Sequence, residues 1–118
     1  MERKSQFSID GDLWIMKGEE IFIGPRQTIL LKQVFKDGSL NAASHNLKIS
    51  YQNAWNILNK MNHISPLPLI VSHKGGSDGG GCHPTNFGIE VMQLLDKKEE
   101  ELDKFLRELN KNFDLCSF

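Results

Sequence analysis

Residues 38–62 read Gly38-Ser39-Leu40-Asn41-Ala42-Ala43-Ser44-His45-Asn46-Leu47-Lys48-Ile49-Ser50-Tyr51-Gln52-Asn53-Ala54-Trp55-Asn56-Ile57-Leu58-Asn59-Lys60-Met61-Asn62, and two serines divide the stretch. Ser39 is an N-cap type residue ahead of Leu40, Ala42, Ala43 and Leu47, which gives one short helix with those four as its buried positions. Ser50 caps a second run in which Ala54, Trp55, Leu58 and Met61 recur at helical spacing, with Trp55 read as a core residue. Only Lys48-Ile49 separates the two, so the pair is a tight helical hairpin. The outward positions of the second helix are Gln52, Asn53, Asn56, Asn59 and Lys60, a face rich in amides.

Upstream, Pro25 suits the first turn of a further helix that carries Ile29, Leu30, Val34 and Phe35 on one face and stops at Asp37-Gly38. Farther back, Phe7, Ile9, Leu13 and Ile15 alternate around Asp10-Gly11-Asp12, with Ile21 and Ile23 following, which predicts two short strands or a hairpin near the N-terminus. Downstream, Pro66 and Pro68 break the helical pattern. Leu69-Ile70-Val71 is a β-type run that enters the glycine-dense segment Lys74-Gly75-Gly76-Ser77-Asp78-Gly79-Gly80-Gly81. Thr85 then caps a long helix, from Ile89 to about Phe113, with an apolar stripe of Val91, Leu94, Leu95, Leu102, Phe105, Leu106, Leu109 and Phe113. Such a helix outruns the core of a 118-residue chain.

Three helices, the third polar on its outer face, then a hairpin and a long helix make an α+β winged helix-turn-helix: a three-helix core plus a β-hairpin wing, with N-terminal strands and a long C-terminal dimerisation helix. The expected organisation is residues 1–24 as N-terminal strands, to which the family resemblance given below adds a dimer contact, 25–85 as the DNA-binding winged helix, and 86–118 as the dimerisation helix. The charge follows the same division. Residues 1–24 hold three basic against five acidic side chains, 25–85 six against two, and 86–118 five against eight, so a basic middle sits inside a chain of net charge −1. A basic middle carrying the amide-rich helix points to double-stranded DNA as partner.

Other classes fit less well. No apolar run approaches the roughly 20 residues of a membrane-spanning helix, and Met1 to Ser5 leads into no apolar signal core, so a cytoplasmic location is expected. Cys82 and Cys116 have no ligand-type spacing and read as thiols. His73, Cys82 and His83 could bind zinc chemically but match no closed four-ligand set, and no metal or cofactor is expected. The glycine segment lacks the Gly-Lys-Ser/Thr ending of a P-loop. No nucleophile and base are paired by motif, so the chain is not read as an enzyme.

Gly38-Ser39-Leu40-Asn41-Ala42-Ala43, Ile49-Ser50-Tyr51-Gln52-Asn53-Ala54-Trp55, Met61-Asn62, the wing Gly75 to Gly81, and Thr85-Asn86-Phe87-Gly88 together resemble the N-terminal DNA-binding domain of the ModE family of molybdate-responsive transcription regulators. The resemblance covers residues 25–95. It implies a winged helix, of the type also found in LysR-like regulators, that dimerises through its N-terminal strands and last helix and binds a palindromic operator. Family members sense molybdate through separate C-terminal domains. The chain ends at Phe118, so regulation without its own molybdate-sensing domain is expected. The wing also departs from a strongly basic pattern, since it holds Asp78 and only one lysine.

The residues expected to meet DNA are Gln52, Asn53, Asn56 and Lys60 for base edges, Lys48, Ser50 and Tyr51 for phosphate at the helix start, and Lys74, Gly75, Gly76 and Ser77 in the wing. Phe7, Ile9, Leu95, Leu102, Phe105, Leu106 and Leu109 are the expected dimer contacts. The alternative is a protein-protein interaction module built on a winged helix that no longer binds DNA.

Overall fold

The computed structural model describes residues 7–73 and 81–115. The wing-tip candidates Lys74, Gly75, Gly76 and Ser77 lie outside these, as do Asp78 and Cys116. In chain order the elements are β1 (Ile15–Lys17), β2 (Glu20–Ile23), α1 (Pro25–Asp37), α2 (Leu40–Leu47), α3 (Tyr51–Ile64), β3 (Ile70–His73), β4 (Gly81–Pro84) and α4 (Asn86–Asn110). The two strand pairs are separate antiparallel hairpins, β1 with β2 and β3 with β4. This is the α+β winged helix-turn-helix.

The helix boundaries follow from local chemistry. The Gly24 N–H donates to Gln27 Oε1 at 2.9 Å and Pro25 occupies the first turn, where its missing N–H costs no helical bond. Gly38 ends α1 in the left-handed region at φ 68°, its N–H donating to the Val34 carbonyl at 2.8 Å. The Ser39, Ser50 and Thr85 hydroxyl oxygens accept from the backbone N–H of Ala42, Asn53 and Gly88 at 3.1, 3.1 and 2.9 Å, each closing the open end of its helix. Between α2 and α3 the chain turns at Lys48, a non-glycine residue with φ 59°.

The core joins all four helices to both hairpins. Ile23, Leu30, Leu31, Val34, Met61, Leu69 and Leu95 are its largest fully buried side chains. Leu95, expected at the dimer interface, has no exposed surface in the single chain and is a core residue. α4 leaves the core after Leu95. At 25 residues it is roughly 37 Å long, and the molecule measures 62 × 31 × 23 Å.

Further expectations need correcting. The N-terminal hairpin turns at Gly18, with φ 61°, and not at Asp10-Gly11-Asp12. Phe7 to Trp14 form no strand, because the backbone of Ile9 bonds a helix side chain instead: Asn110 Oδ1 accepts from its N–H at 2.7 Å and Asn110 Nδ2 donates to its carbonyl at 2.8 Å. Ile29 is 55% exposed, and Leu31 takes the buried place assigned to it. Trp55, expected in the core, is 45% exposed. It lies about 100° around α3 from fully buried Ala54, which swings the indole to the flank of the helix.

Lys32 of α1 bridges Glu99 and Asp96 of α4 at 3.0 and 3.8 Å. These side chains are open to solvent, so the bridges steady the helix root only weakly.

Candidate nucleic-acid interface

The α2–α3 turn and α3 present an exposed face that carries most of the expected contacts. Lys48, Ser50, Tyr51, Gln52, Asn53, Asn56 and Lys60 are all exposed. Gln52, Asn56 and Lys60 are spaced by one helical turn and stack along one face of α3. Gln52 Nε2 donates to Asn56 Oδ1 at 3.0 Å, which orders both amides. Asn56 keeps its two Nδ2 hydrogens and a second Oδ1 lone pair, so this one amide can still donate and accept as an adenine edge requires. Asn53 sits to one side of that row. Asn59, also exposed, lies on the other side and was not among the expected contacts.

The start of α3 is suited to an anion. Ser50 caps only the Asn53 N–H, so the Tyr51 and Gln52 N–H groups point outward at the positive end of the helix dipole. Lys48 adds a cation at the turn just before them. Neither Lys48 nor Lys60 takes part in an ion pair among the described residues.

The hairpin of β3 and β4 is fastened beside this face at three points. Asn62, a residue whose role sequence reasoning missed, accepts from Leu69 N–H at 2.8 Å and donates to the Ile70 carbonyl at 3.0 Å. The Cys82 N–H donates to the Gly38 carbonyl at 3.0 Å, and the Thr85 N–H donates to the Leu69 carbonyl at 3.0 Å. These bonds fix the base of the wing relative to α3, the α1–α2 turn and α4. At that turn the Asp37 carboxylate accepts from Gln33 and Asn46 side chains at 2.8 and 3.0 Å, which holds its pKa below the ordinary carboxylate value.

Between α3, the start of α2 and the wing runs an open groove of about 780 Å³. Tyr51, Trp55 and Asn59 form one wall, Ser39 and Asn41 another, and Ser72 and His73 the third. The His73 and His83 rings lie 5.3 Å apart, but Cys82 is paired with Ser72 across the hairpin and is buried. Burial also pushes its thiol pKa up, so it stays protonated. No group of three metal-ligating side chains occurs among the described residues.

Further large apolar side chains are exposed to solvent: Leu94, Phe105 and Leu109 on α4, and Phe7, Trp14, Met16 and Ile21 on the N-terminal segment and hairpin. Leu102 and Leu106 are half-buried; Leu106 lies beside Ser8, Ile9 and Asp10 of the N-terminal segment.

No protein-family model matches the chain. Among curated proteins, the transcriptional regulator ModE of Haemophilus influenzae is 41% identical over 87 residues, covering 74% of this chain and 34% of that protein. The DNA-binding transcriptional dual regulator ModE of Escherichia coli is 36% identical over 78 residues, covering 66% of this chain and 30% of that protein. The chain thus spans about a third of the length of the curated relatives it matches. Among solved structures, a mutant MepR from a multidrug-resistant S. aureus clinical isolate superposes with a TM-score of 0.60 at 17% identity, over 74% of this chain and 64% of that one. Full-length LysG from Corynebacterium glutamicum superposes with a TM-score of 0.54 at 21% identity, over 74% and 28%. The MepR–DNA complex does so with a TM-score of 0.55 at 17% identity, over 79% and 66%.

Proposed function

Because its winged helix is homologous to that of the ModE transcriptional regulators, we propose that this chain binds duplex DNA sequence-specifically as a homodimer and regulates transcription. The observation that carries the reading is the exposed row of Gln52, Asn56 and Lys60 on α3, with the Ser50-capped helix start beside it. α3 enters the major groove, where the paired amides read adenine and Lys60 contacts guanine or phosphate. Lys48 and the Tyr51 and Gln52 N–H groups hold the phosphate backbone. The wing, through Lys74 to Ser77, follows the adjacent groove.

Fluorescence anisotropy on mixed genomic duplex fragments at low and moderate salt tests this. Affinity is expected to fall steeply with salt, and Lys60→Ala to weaken binding and reduce the magnitude of the log–log salt slope by about two, one for each lysine of the dimer. Asn56→Ala, which removes the amide from both half-sites, is expected to lower affinity for the preferred sequence by about thirtyfold or more while leaving the salt slope unchanged. Absence of binding at low salt would overturn the DNA reading in favour of a protein-interaction module.

Dimerisation explains why a long helix keeps Phe105 and Leu109 open along its outer stripe. Pairing of two such helices, with the N-terminal hairpins alongside, would set two copies of α3 about 34 Å apart, one DNA turn. Sedimentation equilibrium is expected to return twice the 13.4 kDa chain mass, and the double variant Phe105→Glu, Leu109→Lys to return the single mass. A wild-type monomer at micromolar concentration would remove this part of the reading.

A further inference from the structure

Trp55 stands out on α3. It is the fifth residue of the helix, in the N-terminal half that meets base edges when such a helix lies in the major groove. Its outward neighbours Gln52, Asn53 and Asn56 are amides, yet Trp55 leaves 45% of a large indole in water. No packing need accounts for this, because Ala54, Leu58 and Met61 already fill the inward side of the helix. A half-bare tryptophan among hydrogen-bonding side chains is apolar surface awaiting an apolar partner.

The groove beside it narrows the choice of partner. Among the described residues no lysine or arginine lines that groove, whereas Lys48 and Lys60, the cations of this face, lie outside it. Among the described lining residues no lysine or arginine stands beside Trp55 to pair with phosphate, and the one histidine, His73, is on the wing wall. The apolar group that duplex DNA displays in the major groove is the C5-methyl of thymine. Asn56, adjacent in sequence, presents the amide pattern for adenine, so the two residues together suit neighbouring positions in an A·T-containing step.

We infer that Trp55 is a specificity-determining residue that packs its indole face on a thymine methyl in each half-site. The inference rests on the DNA-binding reading above. It assigns to α3 an apolar readout alongside the amide readout of Gln52 and Asn56.

The test begins with a duplex selected from a random library by the wild-type protein. Each thymine is then replaced by uracil, symmetrically in both half-sites, which removes the methyl and leaves base pairing intact. Burial of one methyl corresponds to about a fourfold change in affinity, hence about fifteenfold for a symmetric pair. One thymine position is expected to show that loss in the wild type. Trp55→Ala should bind the thymine and uracil duplexes equally, while Trp55→Phe, which keeps an apolar ring, should retain most of the preference. A flat uracil scan in the wild type overturns the inference while leaving DNA binding intact. So do uracil penalties of the same size in Trp55→Ala and wild type. If the wild type selects no duplex at all, the DNA-binding reading fails and takes this inference with it. Because the uracil scan is read on the wild type, a poorly folded variant could not mask a negative answer.

Discussion

Gly88→Ala is expected to destabilise the fold by about 3 kcal/mol, seen in thermal unfolding as a fall in Tm of roughly 12 °C. Two effects oppose one another. Inside a helix alanine is favoured over glycine by about 1 kcal/mol, so propensity alone predicts a more stable protein. Packing reverses the sign. A Cβ at Gly88 would lie 2.1 Å from the Leu69 carbonyl oxygen and 2.9 Å from its carbon. Both are backbone atoms that cannot swing aside as a side chain would. The carbonyl is held in place besides, since it accepts the Thr85 N–H at 3.0 Å and the Thr85 hydroxyl at 3.3 Å. At Gly24, by contrast, the nearest atoms belong to the Trp14 ring and a Gln27 side chain, so alanine there has neighbours that can move. A Gly88→Ala protein that melts at or above the wild-type temperature would mean that α4 and the base of β3 do not pack this closely.

Asn62→Ala is expected to cost about 3 kcal/mol, measured as a lower denaturant midpoint with an unchanged slope. One amide closes three backbone groups where the chain enters the wing, accepting the Leu69 N–H and, at 3.4 Å, the Ile70 N–H, and donating to the Ile70 carbonyl. Alanine leaves a donor and an acceptor in a half-buried place with no partner, and it is the unmet groups more than the lost bonds that set the cost. On the proposed DNA-binding reading, the same substitution should also weaken DNA binding beyond what stability explains, because Asn62 links α3 to the wing. A loss of less than about 0.5 kcal/mol would show that water satisfies these groups in the variant.

Much of this architecture is legible in the residues because its signals are local. Ser39, Ser50 and Thr85 each cap the helix that begins at the next residue, and Pro25 and Gly38 bound α1, so neighbours within four positions decide these boundaries. The outward amides of α3 follow from helical spacing in the same way. What escapes is set by distant contacts. The alternation of Phe7, Ile9, Leu13 and Ile15 imitates a strand, but the partner of Ile9 is Asn110, 101 residues away. Leu95 and Leu102 belong to one apolar stripe, and only the end of the core separates the fully buried residue from the half-exposed one. Trp55 and Ile29 sit at the edge of their apolar faces, where a modest rotation decides between core and solvent. Gly88 looks like a defect in a helix until Leu69 is placed against it.

The turn between α2 and α3 has a further consequence. Lys48 holds a left-handed backbone, φ 59° and ψ 40°, which costs a residue with a Cβ about 1 to 2 kcal/mol relative to the right-handed region. Glycine would relax that strain and asparagine would tolerate it better, so selection for a stable monomer alone favours either. On the proposed DNA-binding reading, lysine at this position is a compromise: the turn accepts a thermodynamic handicap and gains a cation beside the start of α3. On that reading, glycine substitution at this turn would improve the protein's endurance at the expense of its affinity for DNA.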